Sequence, residues 1–272
     1  MSKKSIRISL ILCLTLLFPA VLAYCQIAYQ PVGVAGGIDY SKRVIVSKGI
    51  GMPGGVGGRG GQIRAAIMDA QRNFLEVTKG AIVDSRSTIE DFVLKSDVIN
   101  SQVRGVAKNF TVVDTAYFDD GSIEVTLQFS MEGELLNAVL PQDMGTGATP
   151  TAAPPAAPGK AYSGLIVDAR GLNVRPALAP KVLDENGKEV YGSSYVSREY
   201  AVQQGMVGYA KDPDKAASNE RVSPDALLVK GIKADGPNKT DIIISNNDAS
   251  ALLAISENLN FLRKCKVIVL VD

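Results

Sequence analysis

Apolar residues recur along this chain with two different periods. Ile63, Ala66, Ile67, Ala70, Phe74 and Val77 lie three or four apart, which gathers them on one face of a helix over residues 62–77. Gly80 breaks that helix, and Ser87 or Thr88 is placed to cap a second one over "IEDFVLKSDVIN". "RVIVSK" (residues 43–48) is a short β-rich run. "FTVVDTAYF" and "SIEVTLQFSME" flank Asp119-Asp120-Gly121, the pattern of a hairpin closed by an Asp-Gly turn. Strand, helix, helix, strand, strand is the order of a small antiparallel sheet with helices on one face.

Residues 141–160, "PQDMGTGATPTAAPPAAPGK", carry no apolar period and are rich in Pro, Ala, Gly and Thr. Such a segment buries too little surface to offset the entropy of ordering it, so it reads as a disordered linker. Beyond it, "YSGLIVDA" and "PKVLDENGKEVYG" read as strands, the second turning at Glu185-Asn186-Gly187. "SREYAVQQGMVGYAKD" is helical in pattern but weakened by Gly205 and Gly208. "ALLVKGIKA" and "TDIIIS" form a hairpin around "DGPNK". "DASALLAISENLNFLRKC" is a helix capped by Asn247 or Asp248, and "KVIVLV" closes as a strand.

The chain therefore reads as α+β: two small domains, each an antiparallel sheet with helices packed on one face, joined by a Pro/Ala-rich linker. The divisions are 1–23 (a signal peptide, argued below), 24–61 (an N-terminal strand and Gly-rich loop), 62–140 (an α+β module that takes in the strand at 43–48), 141–160 (the linker) and 161–272 (a C-terminal α+β domain).

The first residues change the picture of where this fold works. Lys3, Lys4 and Arg7 precede an eleven-residue apolar run, Ile8–Phe18, and "PAVLA" then offers small residues at Val21 and Ala23. This is the pattern of a secretory signal, and the run is too short to span ~30 Å of hydrocarbon as a helix. Cleavage between Ala23 and Tyr24 gives a periplasmic protein. Cys25 leaves a second ending open: "LAYC" approaches a lipoprotein site, with bulky Tyr24 where a small residue belongs. Cys25 could also pair with Cys265 in an oxidising compartment, whereas Cys265 by itself reads as a small buried residue after the last helix.

Charge and composition narrow the chemistry. Three of the 29 basic residues lie in the signal, so 26 basic residues face 28 acidic ones afterwards, which excludes nucleic acid as a partner. There is no His, and so no Ser-His-Asp triad, Cys-His pair or His-ligated zinc. We expect no catalytic residue, cofactor or metal site. "GIGMPGGVGGRGG" (residues 49–61) contains G-x-G-x-x-G, but a dinucleotide cradle needs a βαβ unit around it and a Walker loop needs Gly-Lys-Ser/Thr after it. Here Gln62 follows Gly61, and a second helix delays the next strand. Asp168, Arg170 and Arg175 lie close together in "VDARGLNVRP". Either the charges pair locally, or Arg170 and Arg175 hold an anion.

The stretch from Ala65 to Gly133 resembles the Lpp-twenty family of bacterial envelope lipoproteins, and the similar module at the start of flagellar H-ring and basal-disk accessory proteins. The matching pieces are "DAQRNFLE", "G-x-x-VDS", "SDVI-x-x-x-V-x-G", and "DG-x-x-x-V" followed by "M-x-G". The resemblance implies a small extracytoplasmic α+β module, associated with the outer membrane and used in assembly, with envelope or flagellar proteins as partners. Tyr24 departs from the family's lipidation site, the second half lies outside the family pattern, and no functional residue carries over. The expectation is a non-enzymatic envelope assembly or interaction protein, with oligomerisation left open. The alternative is a periplasmic binding module for an anionic ligand, using Arg170 and Arg175.

Overall fold

The computed structural model describes residues 28–147, 160–254 and 256–272. The signal segment, its cleavage site at Ala23 and Tyr24, and Cys25 lie outside these residues, as do residues 148–159 of the segment read as a linker.

The first unit opens with a hairpin absent from the sequence expectation, β1 (Tyr29–Val32) and β2 (Gly36–Asp39). Then come β3 (Val44–Gly51), α1 (Gly58–Lys79), α2 (Ile89–Lys95), α3 (Asp97–Val106), β4 (Thr111–Tyr117), β5 (Ile123–Ser130) and α4 (Glu134–Val139). The sheet runs β1-β2-β3-β5-β4 and every pairing is antiparallel. The strand expected at 43–48 continues through Gly49 and Gly51, and the helix expected from 62 begins at Gly58. The single helix expected after Thr88 is two, because extended Ser96 ends α2 and caps α3. Thr88 caps α2 in a capping box with Asp91.

Helix α1 lies against one face of this sheet, and the glycines explain how closely. A Cβ on Gly49 would come within 3.0 Å of the backbone of Ala66 and Ala70, and one on Gly51 would meet the Gln62 carbonyl. Phe74 of α1 stacks on Phe129 of β5 with ring centroids 3.9 Å apart. Polar side chains of the "DAQRN" stretch fix the crossing: Asp69 accepts from Ile50 N at 3.1 Å and Asn73 donates to Lys48 O at 2.8 Å. Ser47 donates to Ala70 O at 2.8 Å from the strand side.

The second unit contains β6 (Gly164–Asp168), β7 (Val182–Leu183), β8 (Glu189–Tyr191), α5 (Arg198–Gln204), β9 (Gly208–Ala210), α6 (Pro213–Ala217), β10 (Ala226–Asp235), β11 (Asp241–Ile244), α7 (Asn246–Leu253), α8 (Ser256–Arg263) and β12 (Val267–Leu270). The α+β class and the two-unit arrangement match the sequence expectation. The second sheet, ordered β8-β7-β11-β10-β6-β12-β9, is mixed rather than purely antiparallel. Strands β10, β6, β12 and β9 run parallel, β11 runs parallel to β7, and only the β10–β11 and β7–β8 hairpins are antiparallel. Both faces of its centre are covered: Leu165, Val167 and Val269 pack with Phe261 and Leu262, while Ile166, Ile268 and Leu270 pack with Ala216 and Val222. The helix cap expected at Asn247 or Asp248 is Ser245, whose hydroxyl accepts from Asp248 N at 3.0 Å.

One core runs through both units. Leu178 N donates to Ile82 O at 3.0 Å, Ala179 N to Val83 O at 2.7 Å and Asn238 N to Ser85 O at 3.0 Å. Arg198 reaches back to Asn137 Oδ1 at 2.8 Å and to Pro141 O at 3.1 Å. The first residues of the segment read as a linker are seated: Met144 is buried, and Gly145 and Gly147 donate to Ser193 O and Ser194 O.

Candidate functional site

Strands β6, β12 and β9 end level with one another, Leu270 being in register with both Asp168 and Ala210. The carboxyl ends of parallel strands are where open α/β sheets bind ligands, because the following loops diverge and leave a crevice. In this chain Asp168 ends β6 and Arg170 and Arg175 follow it, Lys211 and Asp212 follow β9, and Asp272 follows β12. A cleft of about 490 Å³ opens there, walled by Arg175, Asn173, Lys211 and Asp272 on one side and by Tyr29 and Gln30 of the β1–β2 hairpin on the other.

The two arginines of "DARGLNVRP" have different roles. Arg170 forks onto Asp168, with Nε and Nη2 donating at 2.8 and 2.6 Å. That bidentate bond holds the Asp168 carboxyl below its ordinary range, and the carboxylate raises the Arg170 pKa in return. Local pairing therefore accounts for Arg170, and of the two arginines it is Arg175 that lines the cleft.

The loop carrying Arg175 is pinned along its length. Gly171 N donates to both oxygens of Asp272, at 2.8 and 3.1 Å. Arg175 N donates to Lys239 O at 2.9 Å. Ala177 is held at both of its peptide groups by Tyr209, whose Oη accepts from Ala177 N at 2.8 Å and donates to Ala177 O at 2.9 Å. Between these ties Asn173 sits at φ 55°, a left-handed conformation that asparagine accepts more readily than most non-glycine residues. The opposite wall is equally fixed: Gln30 donates to Gly80 O at 3.0 Å and accepts from Tyr40 Oη at 3.2 Å.

The Gly-rich loop proves to be two structures. Gly49 and Gly51 are close-approach positions in β3, and residues 52–60 are exposed and lead into α1. The start of α1 has Gly57 at φ 93° and no side-chain cap. Gln62 ties this end to the β4–β5 turn, donating to Gly51 O at 3.0 Å and Gly121 O at 2.6 Å, and Arg59 lies 4.3 Å over the Tyr117 ring.

Cys265 is a free thiol, fully buried at φ 57° just after α8. Burial pushes its pKa up to about 12, against a smaller downward pull from Arg221. Arg221 is itself spent on the carbonyls of Gln204, Gly205 and Cys265.

Another exposed feature lay outside the sequence reading. Among the described residues, strand β4 is an edge, paired to β5 alone, and a register shift between Val112 and Asp114 leaves Val113 without a cross-strand partner. Val112, Val113, Tyr117 and Phe118 are exposed along it. Alternation of "FTVVDTAYF" announces a strand, but edge position follows only from the strand order.

Among the described residues, no helix is long and apolar enough to cross a membrane. Residues 164–272, less than half of the chain, match a family described as the second domain of Treponema pallidum Tp0624. The second unit is thus similar to that domain over almost all of its described length. No curated protein matches the chain significantly.

Proposed function

We propose that this chain is a non-enzymatic assembly or interaction protein of a Gram-negative cell envelope, exported to the periplasm and working at the outer membrane or the flagellar base. The observation that carries this reading is the open edge of β4. Backbone groups that no other described strand pairs, beside exposed Val112, Val113, Tyr117 and Phe118, form a template on which a partner's strand can pair. The export pattern before Tyr24 and the resemblance of residues 65–133 to envelope modules favour a periplasmic partner. A different protein fits the edge better than a second copy, because self-pairing centred on Asp114 would oppose two carboxylates.

A photo-crosslinking residue at Val113, introduced in the native host, tests this. We expect one dominant envelope protein to be captured, and Val112→Lys with Val113→Lys to abolish the capture without lowering the melting temperature. A deletion strain with normal motility, secretion and envelope integrity, but lacking a hydrolase or transferase activity, would end this reading.

A second reading keeps the anion-binding module, because Arg175 lines a cleft of small-molecule size. Arg170, engaged with Asp168, drops out of it.

A further inference from the structure

We infer that the cleft at the carboxyl ends of β6, β9 and β12 is a binding site for a small amphiphilic anion, its head on Arg175 and its apolar part against Val174 and Val271. The inference rests on the second reading above and deepens it. It reduces the pair Arg170 and Arg175 to Arg175, and it names the ligand class.

Three observations converge. The first is position. The cleft lies at the carboxyl edge of parallel strands and also between the two units, both preferred places for ligands, and its volume of about 490 Å³ suits a small organic molecule.

The second is charge. Among the described residues, Arg175 and Lys211 line the cleft beside the side-chain carboxylate of Asp272. That carboxylate, Asp272, is engaged by Gly171 N with both oxygens. Among the described residues, no hydrogen bond or ion pair joins the Arg175 guanidinium to the protein, whereas Arg170 next to it in the loop is fully forked. A guanidinium presented this way offers a planar donor pair matched to a carboxylate or phosphate.

The third is preorganisation. The loop bearing Arg175 is tied at Gly171, Arg175 and Ala177, and the opposite wall is tied at Gln30. Little ordering is then left to oppose binding. Val174 and Val271 supply apolar lining, so a bare inorganic ion would leave part of the cleft unfilled.

The test is titration calorimetry on the chain from Tyr24 to Asp272, with octanoate, octyl phosphate, octanol and inorganic phosphate as probes. We expect octanoate or octyl phosphate to bind at least tenfold more tightly than both octanol and inorganic phosphate. The preference between the two head groups distinguishes a carboxylate from a phosphate ligand. Arg175→Gln is expected to weaken binding at least tenfold, Arg175→Lys to restore part of it, and the charge-neutral double variant Asp168→Asn, Arg170→Gln to change it less than twofold. Melting curves confirm that each variant is folded. Inorganic phosphate binding as tightly as octyl phosphate, and lost in Arg175→Gln, overturns the inference while leaving an anion-binding module in place; binding that survives Arg175→Gln unchanged, or octanol binding as tightly as octanoate, overturns both. No binding of any probe at millimolar concentration overturns both.

Discussion

Tyr40 and Tyr209 meet edge to face across the boundary between the two sheets, with ring centroids 6.2 Å apart and planes at 76°. Each hydroxyl also fastens a backbone segment: Tyr40 Oη accepts from Ile82 N at 2.9 Å, and Tyr209 Oη bridges both peptide groups of Ala177. The ring pair contributes about 0.5–1.5 kcal/mol beyond its burial. Tyr209→Phe keeps the ring and leaves the buried Ala177 N–H unsatisfied, so we expect a loss of about 1–3 kcal/mol. Because both units share one core, unfolding followed by far-ultraviolet dichroism and by tyrosine fluorescence should give one coincident transition in the native chain and in the variant. Two separated transitions would mean that the units fold independently.

The same shared core makes a prediction about cutting the chain. A specific protease site placed within residues 148–159 divides it between the units. Ile82, Val83 and Ser85 of the first unit still accept from Leu178, Ala179 and Asn238 of the second. We expect the cut halves to elute together in size-exclusion chromatography without denaturant. Separate elution of two folded fragments would contradict the packing described here.

Gly49→Ala probes the closest approach in the first unit. Its new methyl group would fall within 3.0 Å of the Ala66 carbonyl and the Ala70 amide, both backbone atoms that cannot swing aside. Overpacking of this kind costs about 1–3 kcal/mol. Gly55→Ala meets nothing within 4 Å and should leave the melting temperature within a degree or two. Equal effects of the two substitutions would refute a close-packed role for Gly49.

Local signals in the sequence carried much of this fold. Asp-Gly and Asn-Gly turns mark two hairpins correctly, with Gly121 and Gly187 both at φ 79°. The stripe from Ile63 to Val77 locates the long helix, and the quoted "DAQRNFLE" motif turns out to bolt that helix to β3. Strand direction in the second sheet was not legible, because parallel partners such as β6 and β12 lie some hundred residues apart and no turn between them reveals their pairing. One hint was present: Val267–Leu270 is an uninterrupted apolar run, buried throughout, as a strand covered on both faces requires. The cleft was half legible. Arg175 stood out, but only the folded register brings Lys211, Asp272 and the β1–β2 hairpin to it, and spacing alone could not show Arg170 spent on Asp168.

Cys265 gives a prediction in pH. Burial raises its folded pKa to about 12, above the ~8.5 of a free thiol. The folded state therefore keeps a proton that the unfolded state gives up. The stability this contributes is whole below about pH 8.5 and is lost as pH rises toward 12, at about 1.4 kcal/mol per pH unit. Burial also raises Tyr40, Tyr191 and Tyr209, but from 10.0, so between about pH 9 and 10 the thiol dominates among these four groups. In a chain with Cys13 and Cys25 replaced by serine, urea-unfolding free energy should fall across that interval, and Cys265→Ala should flatten the slope. At pH 8 the native thiol should react with a disulfide reagent far more slowly than in urea, since burial both hides it and keeps it protonated. Fast labelling of the native chain, or an unchanged slope in Cys265→Ala, would show that the thiol is accessible and titrates normally.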